Sequence, residues 1–436
     1  MEEKEPVKLW VTLLTWAIRI VCGGLFIFSG FVKAIDPWGT IFKVEDYLAA
    51  WDFVLYFPLL RLFVFFLCAI EFIVGCFLLL GCFRKSCPIF AALIMCFMLP
   101  LSLWVAIENP VPDCGCFGDV IHISNWLTFF KNILICAGIA WLIFYNTKAV
   151  CLITPAFQWL AVVASGVFVL IIELVGFFYQ PLLDFRPYPE GSALFAAPTS
   201  SESDEPEYKF VYRNNGEERE FDIDSLPDES QGWEFVERRP ISALPAQVST
   251  HNEGLQVFDV DTGEDLTDQI SNVTGKQLLV MIPKVSMVSP ATTWKLNSLY
   301  EWASANDIEM AGVVAGNKED IENWEDLSMA AYPVYNADDT DIKTVVRGNP
   351  GIVFLDNGKI EWKTSLTSMD VDDFLSPEFS GDVSSFKRDN SAILRNISLI
   401  YLIVMAFLIF ISFTPRMARL LTAGGLASKK GIRHHD

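Results

Sequence analysis

Between two strongly apolar stretches the chain carries Asp-Cys-Gly-Cys-Phe-Gly-Asp, Asp113 to Asp119, with two cysteines one glycine apart. Two thiols at this spacing close a small disulfide or offer two thiolates to a soft metal, and Gly115 supplies the backbone freedom that so tight a loop requires. Unpaired Cys in a membrane protein often behaves only as a small hydrophobe. Of the ten cysteines, the other eight lie inside apolar runs or at their edges, whereas this pair sits in a polar loop beside Pro110 and Pro112, where packing gives no reason for a thiol. A disulfide between residues i and i+2 can hardly relax both its dihedral and its Cα spacing. It should be strained and reducible above about -300 mV, the range below which structural disulfides lie. Cys114 and Cys116 are therefore the candidate exchanging thiols.

The charges that could tune them are few. Lys131 stands about two turns into the apolar segment that follows the loop, with Ser124 as its expected cap, and positive charge and a helix amino end both favour thiolate. This makes Lys131 the third candidate catalytic residue, and His122 could shuttle a proton. Lys33, Arg61 and Glu173 are expected near the same loop, although long cations close to a helix end often only snorkel. Deeper in the apolar segments stand Arg19 and Glu71. Counted from the ends of their segments, each lies about 15 Å deep, so the two are expected to pair, fixing helix register or marking a proton or quinone site.

The elements that must hold these residues are membrane helices. Of 436 residues 52% are apolar, with 35 Phe and 13 Trp, more than soluble domains carry. Apolar runs at 9–34, 54–81, 87–107, 125–146, 156–178 and 393–414 are each long enough to cross about 30 Å of hydrocarbon, and the first is too long for a cleavable signal peptide. Arg84, Lys85, Lys148 and the basic residues after 414 mark the cytoplasmic side, while the Cys loop has no basic residue. Both termini are expected in the cytoplasm. The Asp36 to Asp52 loop, the Cys loop and the segment from Gln180 to Ala392 are expected to face outward, in a bacterium the oxidising periplasmic side of the inner membrane. That segment holds about 40 acidic against about 16 basic residues and no cysteine. The net charge of -21 excludes nucleic acid as a partner, leaving the lipid bilayer and exported protein thiols or another membrane subunit.

The soluble segment begins as a linker, then reads as a hairpin turned at Asn215-Gly216. From Gln256 it alternates strand, helix, strand, helix, strand, strand, a small α/β sandwich. Phe258 to Asp268, the strand Leu278 to Pro283 and Gly348 to Ile360 resemble a thioredoxin-fold domain of the peroxiredoxin or TlpA-like kind, over about 256–374. The resemblance implies a cis peptide at Asn349-Pro350. Where that family has its redox pair this chain has Ser286 and Ser289, whose hydroxyls cannot exchange disulfides. His251 lies outside the fold core, so no base is evident, and the serines are expected to cap the helix from Thr292 to Asn306. Arg19 to Gly39, Ala69 to Gly81 and Cys114 to Gly118 resemble the DoxX/MauE family of four-helix membrane proteins, over about 9–146. What this implies is redox chemistry at the membrane, with MauE-like members thought to help form disulfides in exported proteins.

The expected architecture is an α-helical membrane bundle with an extracytoplasmic α/β thioredoxin-like domain. It divides into a DoxX/MauE-like four-helix domain (1–150), a fifth transmembrane helix (151–180), an acidic linker with a hairpin (181–250), a degenerate thioredoxin-like domain (251–380), and a sixth transmembrane helix with a basic tail (381–436). The expected function is thiol-disulfide exchange by the Cys pair with exported proteins or a quinone, the latter being the candidate cofactor. Two alternatives stand beside it: a non-enzymatic membrane-complex or assembly subunit whose α/β domain is a docking module, and a thiolate copper or zinc site, for which only two close thiols and one His are in view.

Overall fold

The structure, a computed structural model, describes residues 9–111, 114–118, 120–121, 123–195, 208–214, 217–221, 234–240, 254–271, 274–289, 292–371 and 387–431. Asp113, Asp119, His122, Asn215, Gly216 and His251, all considered above, lie outside the described residues.

Six helices among the described residues are long and apolar enough to cross a membrane. They include α1 (Leu9–Ile35), α3 (Phe57–Leu80), α4 (Ser86–Glu108), α5 (Asn125–Tyr145) and α6 (Gln158–Phe178). The 36–52 segment, expected as a loop, instead holds the helix α2 (Pro37–Ala50). Its start combines two signals: Asp36 Oδ1 accepts from Gly39 N at 2.9 Å, and Pro37 occupies the first turn. Its apolar face, Trp38, Ile41 and Tyr47, is buried against the bundle.

The closest helix pair is α1 with α3, and small residues allow it. A Cβ on Gly30 would stand 2.5 Å from Phe72 N, and one on Gly75 would stand 2.5 Å from Ile27 N. The backbones therefore touch at two levels, and the contacts fix the register of the pair.

After the bundle come a three-stranded sheet of order β2-β1-β3, with β1 (Tyr208–Asn214), β2 (Glu217–Phe221) and β3 (Glu234–Pro240), and then an α/β unit. Asn214 pairs Glu217 across the position expected for the hairpin turn. The α/β unit contains α7 (Thr267–Ser271), β4 (Lys276–Ile282), α8 (Thr293–Ala305), β5 (Glu309–Val314) and α9 (Lys318–Ser328). It continues through β6 (Val334–Asn336), α10 (Asp339–Val345), β7 (Gly351–Asp356) and β8 (Lys359–Ser365). The sheet order is β6-β5-β4-β7-β8, with β4, β5 and β6 parallel and β7 and β8 antiparallel to their neighbours.

Both faces of the sheet are covered, so β4 reads as a continuous apolar run rather than an alternating one. Leu278, Val280 and Ile282 pack under α8 and α9, whereas Leu279 and Met281 face α7 and α10. Asn349-Pro350 is cis, and Asn357 and Gly358 at φ 49° and 74° turn β7 into β8. Helix α8 falls within a residue of the expected Thr292 to Asn306, with Thr292 rather than Ser286 or Ser289 in the cap position. The Ser289 carbonyl accepts from Thr292 N and Oγ1, and Thr292 holds the cap position without a side-chain cap bond. The chain then returns to the bundle through α11 (Asn390–Gly431), whose Tyr401 stacks on Phe168 of α6 at 4.3 Å.

The sheet unit is tied to the bundle at one point above all. The Arg347 guanidinium meets Asp36 at 2.8 to 3.0 Å, its backbone N donates to Gln180 Oε1 at 3.0 Å, and Gln180 Nε2 returns a bond to Arg347 O. Beside it Asp184 joins Arg186 and Lys363 at 2.6 to 2.9 Å. Burial raises the Asp184 carboxyl pKa, but Arg186 and Lys363 outweigh it and hold the group at about 2.

The glycine contacts give a direct test of the packing. Gly30→Val or Gly75→Val should each destabilise the bundle by about 1–3 kcal/mol or more, the cost of overpacking a rigid contact. Gly24→Ala, with open space where its Cβ would sit, should leave the thermal midpoint of the detergent-solubilised chain unchanged or slightly raised.

Candidate functional site

The sulfurs of Cys114 and Cys116 lie 3.3 Å apart, without a bond between them. A turn places them there: Gly115 has φ +64°, and a Cβ on it would come within 2.7 Å of the Lys43 side chain, so both the conformation and the space call for glycine. Each cysteine carbonyl is held from a different helix. Tyr47 of α2 donates its hydroxyl to Cys114 O at 2.7 Å, and Ser29 of α1 lies 2.8 Å from Cys116 O. The flanks are also anchored, since Asn125 at the start of α5 donates to Asn109 Oδ1 and Val111 O, and Phe117 is buried 5.3 Å from Phe28.

Behind the loop lies a buried ion pair. Lys33 Nζ contacts both carboxylate oxygens of Glu71, at 2.9 and 2.8 Å, and donates to Ser29 Oγ at 3.1 Å. Ser29 Oγ is also 2.9 Å from Glu71 Oε2, so its single proton serves either Glu71 or the Cys116 carbonyl at any moment. Each charged side chain in the pair is no more than 6% exposed.

The expected pairing of Arg19 with Glu71 does not form. Gly81, which ends α3, meets the Arg19 guanidinium directly, so α3 stops level with Arg19 and Glu71 lies about ten residues farther along. Counting depth from the two helix ends had assumed that those ends align. The Arg19 side chain, leaning toward the start of its helix as helical side chains do, reaches Asn146 Oδ1, Asn146 O and Val150 O, each at 2.7 Å. Lys33 leans back in the same direction and takes Glu71.

Lys131 is where the sequence put it. Its Nζ sits 4.2 Å from the centre of the Phe117 ring, and with Cys116 and Lys33 it lines a cavity of about 40 Å³ that also receives the buried Asn132. Asn132 Nδ2 has no hydrogen-bond partner among the described residues. Arg61 and Glu173 are not brought to the loop. Arg61 lies over the Phe177 ring at 5.4 Å, and Glu173 is buried on α6 with Oε1 lacking a partner among the described residues. Ser124 holds the cap position of α5 without a side-chain cap bond.

The environment separates the two thiols. The hydrogen bond from Cys114 lowers the Cys116 pKa most, and Lys131 and Lys33 add to it against the cost of burial, bringing it to about 6. Cys114, as donor in a buried site, is pushed well up. The two sulfurs are within hydrogen-bonding range, and an oxidant would have to bring them from 3.3 Å to about 2.05 Å to close a disulfide.

Two features escaped the sequence reading. One is the larger cavity in front of the pair, about 340 Å³ and overwhelmingly apolar. The other is a second thiol pair at the opposite end of the bundle, Cys82 with Cys151. There the Cys82 hydrogen bond is the largest cause lowering Cys151 to about 6, and Gln158 Nε2 donates to the Cys151 sulfur at 3.2 Å. Cys82 and Cys151 are 69 positions apart, and no local spacing could have joined them. Among the described residues no group of three or more His, Cys, Asp or Glu side chains could hold a metal.

Residues 11–145 match the family described as methylamine utilisation protein MauE, and residues 206–241, which contain the three-stranded sheet, match a domain of unknown function, DUF8463. No curated protein and no solved structure matches the chain.

The ion pair can be tested by a double-mutant cycle. Lys33→Met alone strands a buried carboxylate and should cost about 3–5 kcal/mol, whereas Lys33→Met with Glu71→Leu should recover most of that loss in detergent unfolding. Arg19→Leu and Glu71→Leu, which share no contact, should simply add.

Proposed function

We propose that the chain is a membrane thiol-disulfide oxidoreductase in which Cys114 and Cys116 cycle between dithiol and disulfide. The observation that carries the reading is the 3.3 Å approach of the two sulfurs, with Lys131 and Lys33 lining the same small cavity as Cys116 and favouring its thiolate. In the oxidised pair Cys116 is the better leaving group because its pKa is the lower of the two. An incoming substrate thiolate then attacks Cys114, the Cys114–Cys116 bond breaks, and Cys116 departs as thiolate. A second substrate thiol resolves the mixed disulfide and releases reduced Cys114. Lys131 positions charge beside Cys116 and does not itself react.

The match of residues 11–145 to a MauE family supports a membrane role for the helical part, and the reading extends this to exported substrates. The Cys loop faces outward, because Arg84, Lys85 and Lys148 cluster at the other end, where Arg84 bonds Thr147 O and Asn146 bonds Arg84 O. The α/β unit is a degenerate thioredoxin-like domain, supported by its mixed sheet covered on both faces, with Ser286 and Ser289 where redox thiols would stand. Having no cysteine, it serves as a docking module joined to the redox site through Arg347 and Asp36.

Alkylation of the reduced Cys151→Ala chain should reveal one thiol whose rate rises with pH through about 6 and is largely lost below it. Lys131→Met should move that midpoint upward, and Cys114→Ala, which removes the thiol donor, should move it further. Cys116→Ser should leave Cys114 able to hold a mixed disulfide that reducing agent releases on electrophoresis. If neither thiol reacts with alkylating agents in membranes under oxidising or reducing conditions, the pair is structural and the assembly-subunit reading takes its place.

A further inference from the structure

The cavity of about 340 Å³ in front of the Cys pair has a chemistry of its own. Cys114, Gly115 and Cys116 line it together with side chains on two helices long enough to cross a membrane, Phe63 and Leu67 of α3 with Phe97 and Met98 of α4. Phe63 and Phe97 are 46% and 57% exposed on two helices long and apolar enough to cross a membrane, so part of the cavity wall borders a surface suited to lipid tails. Its volume falls in the range of small-molecule sites, about 300–1,000 Å³. A lipid acyl chain would need only the apolar wall. Cys116, Lys33 and the Lys43 side chain also line this cavity, groups suited to a polar, electron-accepting ring.

We propose that the cavity is the docking site of a lipid-soluble prenylated quinone that enters from the bilayer between α3 and α4 and reoxidises the Cys114–Cys116 dithiol. The proposal rests on the redox reading above and names its electron acceptor. The Cys116 thiolate adds to a ring carbon, and the ring oxygen takes a proton from solvent. Cys114 sulfur then attacks Cys116 sulfur and passes its own proton to the ring. The S–S bond forms, the sulfur–carbon bond breaks with its electron pair staying on the ring, and hydroquinone leaves. Two electrons and two protons pass to the quinone, one proton from solvent and one from Cys114.

The test uses the full chain, reduced, in lipid nanodiscs. Decylubiquinone, followed by its ultraviolet absorbance, should be reduced at one equivalent per two thiols lost. Met98→Trp, which fills part of the cavity, should slow this at least tenfold. A redox-inert alkylated quinone analogue should protect Cys116 from N-ethylmaleimide, a readout that needs no turnover, whereas a saturated fatty acid of the same length should not. Separately, glutathione disulfide offered from the aqueous phase reports on the dithiol itself. If glutathione disulfide oxidises the pair and decylubiquinone does not, the quinone site is refuted and the redox reading stands. If neither oxidises it, both fall. If the fatty acid protects Cys116 as well as the quinone analogue does, the cavity is a lipid pocket and the proposal is overturned.

Discussion

Lys33 and Glu71 sit at the centre of what this protein builds. Two charges inside an apolar bundle are tolerated only when each satisfies the other and their remaining hydrogen-bonding capacity is used. Ser29 takes up that capacity and passes it to the carbonyl of Cys116. The Cys loop therefore rests on the same group that joins α1 to α3. The close glycine contacts between those helices set the height at which Lys33 finds Glu71, and the pair in turn contributes positive charge beneath the loop.

The loop is framed from four directions. Tyr47 reaches it from α2, Ser29 from α1, Asn125 from the start of α5, and Phe117 packs inward against α1. None of these contacts alone makes a thiol reactive. Together they hold two sulfurs within hydrogen-bonding range while one of them lines both a small cavity that Lys33, Glu71 and Lys131 reach and a large apolar one.

Much of this was legible in the sequence because the membrane imposes strong local rules. Hydrophobic runs gave all six spanning helices within a few residues, and a Cys pair in a polar loop stood out against cysteines placed for packing. The α/β alternation and Asn357-Gly358 likewise announced a sheet and a hairpin. What could not be read is register and distance. Arg19 and Glu71 were matched by counting from helix ends that do not align, and Lys33 was discounted as a snorkelling side chain although it is the true partner. Helix α2 was hidden because a short amphipathic helix lying beside a bundle lacks a spanning run. The large cavity is lined by residues of α2, α3, α4 and the Cys loop that are far apart in sequence, and no residue of its lining is unusual by itself.

Arg19 and Lys33 also act on α1 together. They are 14 residues apart, and at 3.6 residues per turn their side chains leave the helix within about 40° of one another. One is fastened to Asn146 and Val150 at one end of the bundle, the other to Glu71 toward the opposite end. A rod pinned at two heights along a single edge can neither spin about its axis nor slide along it without breaking a pin. Helix α1 is thus the fixed shaft of the bundle, and rearrangement at the Cys loop has to be taken up by the elements that close around it.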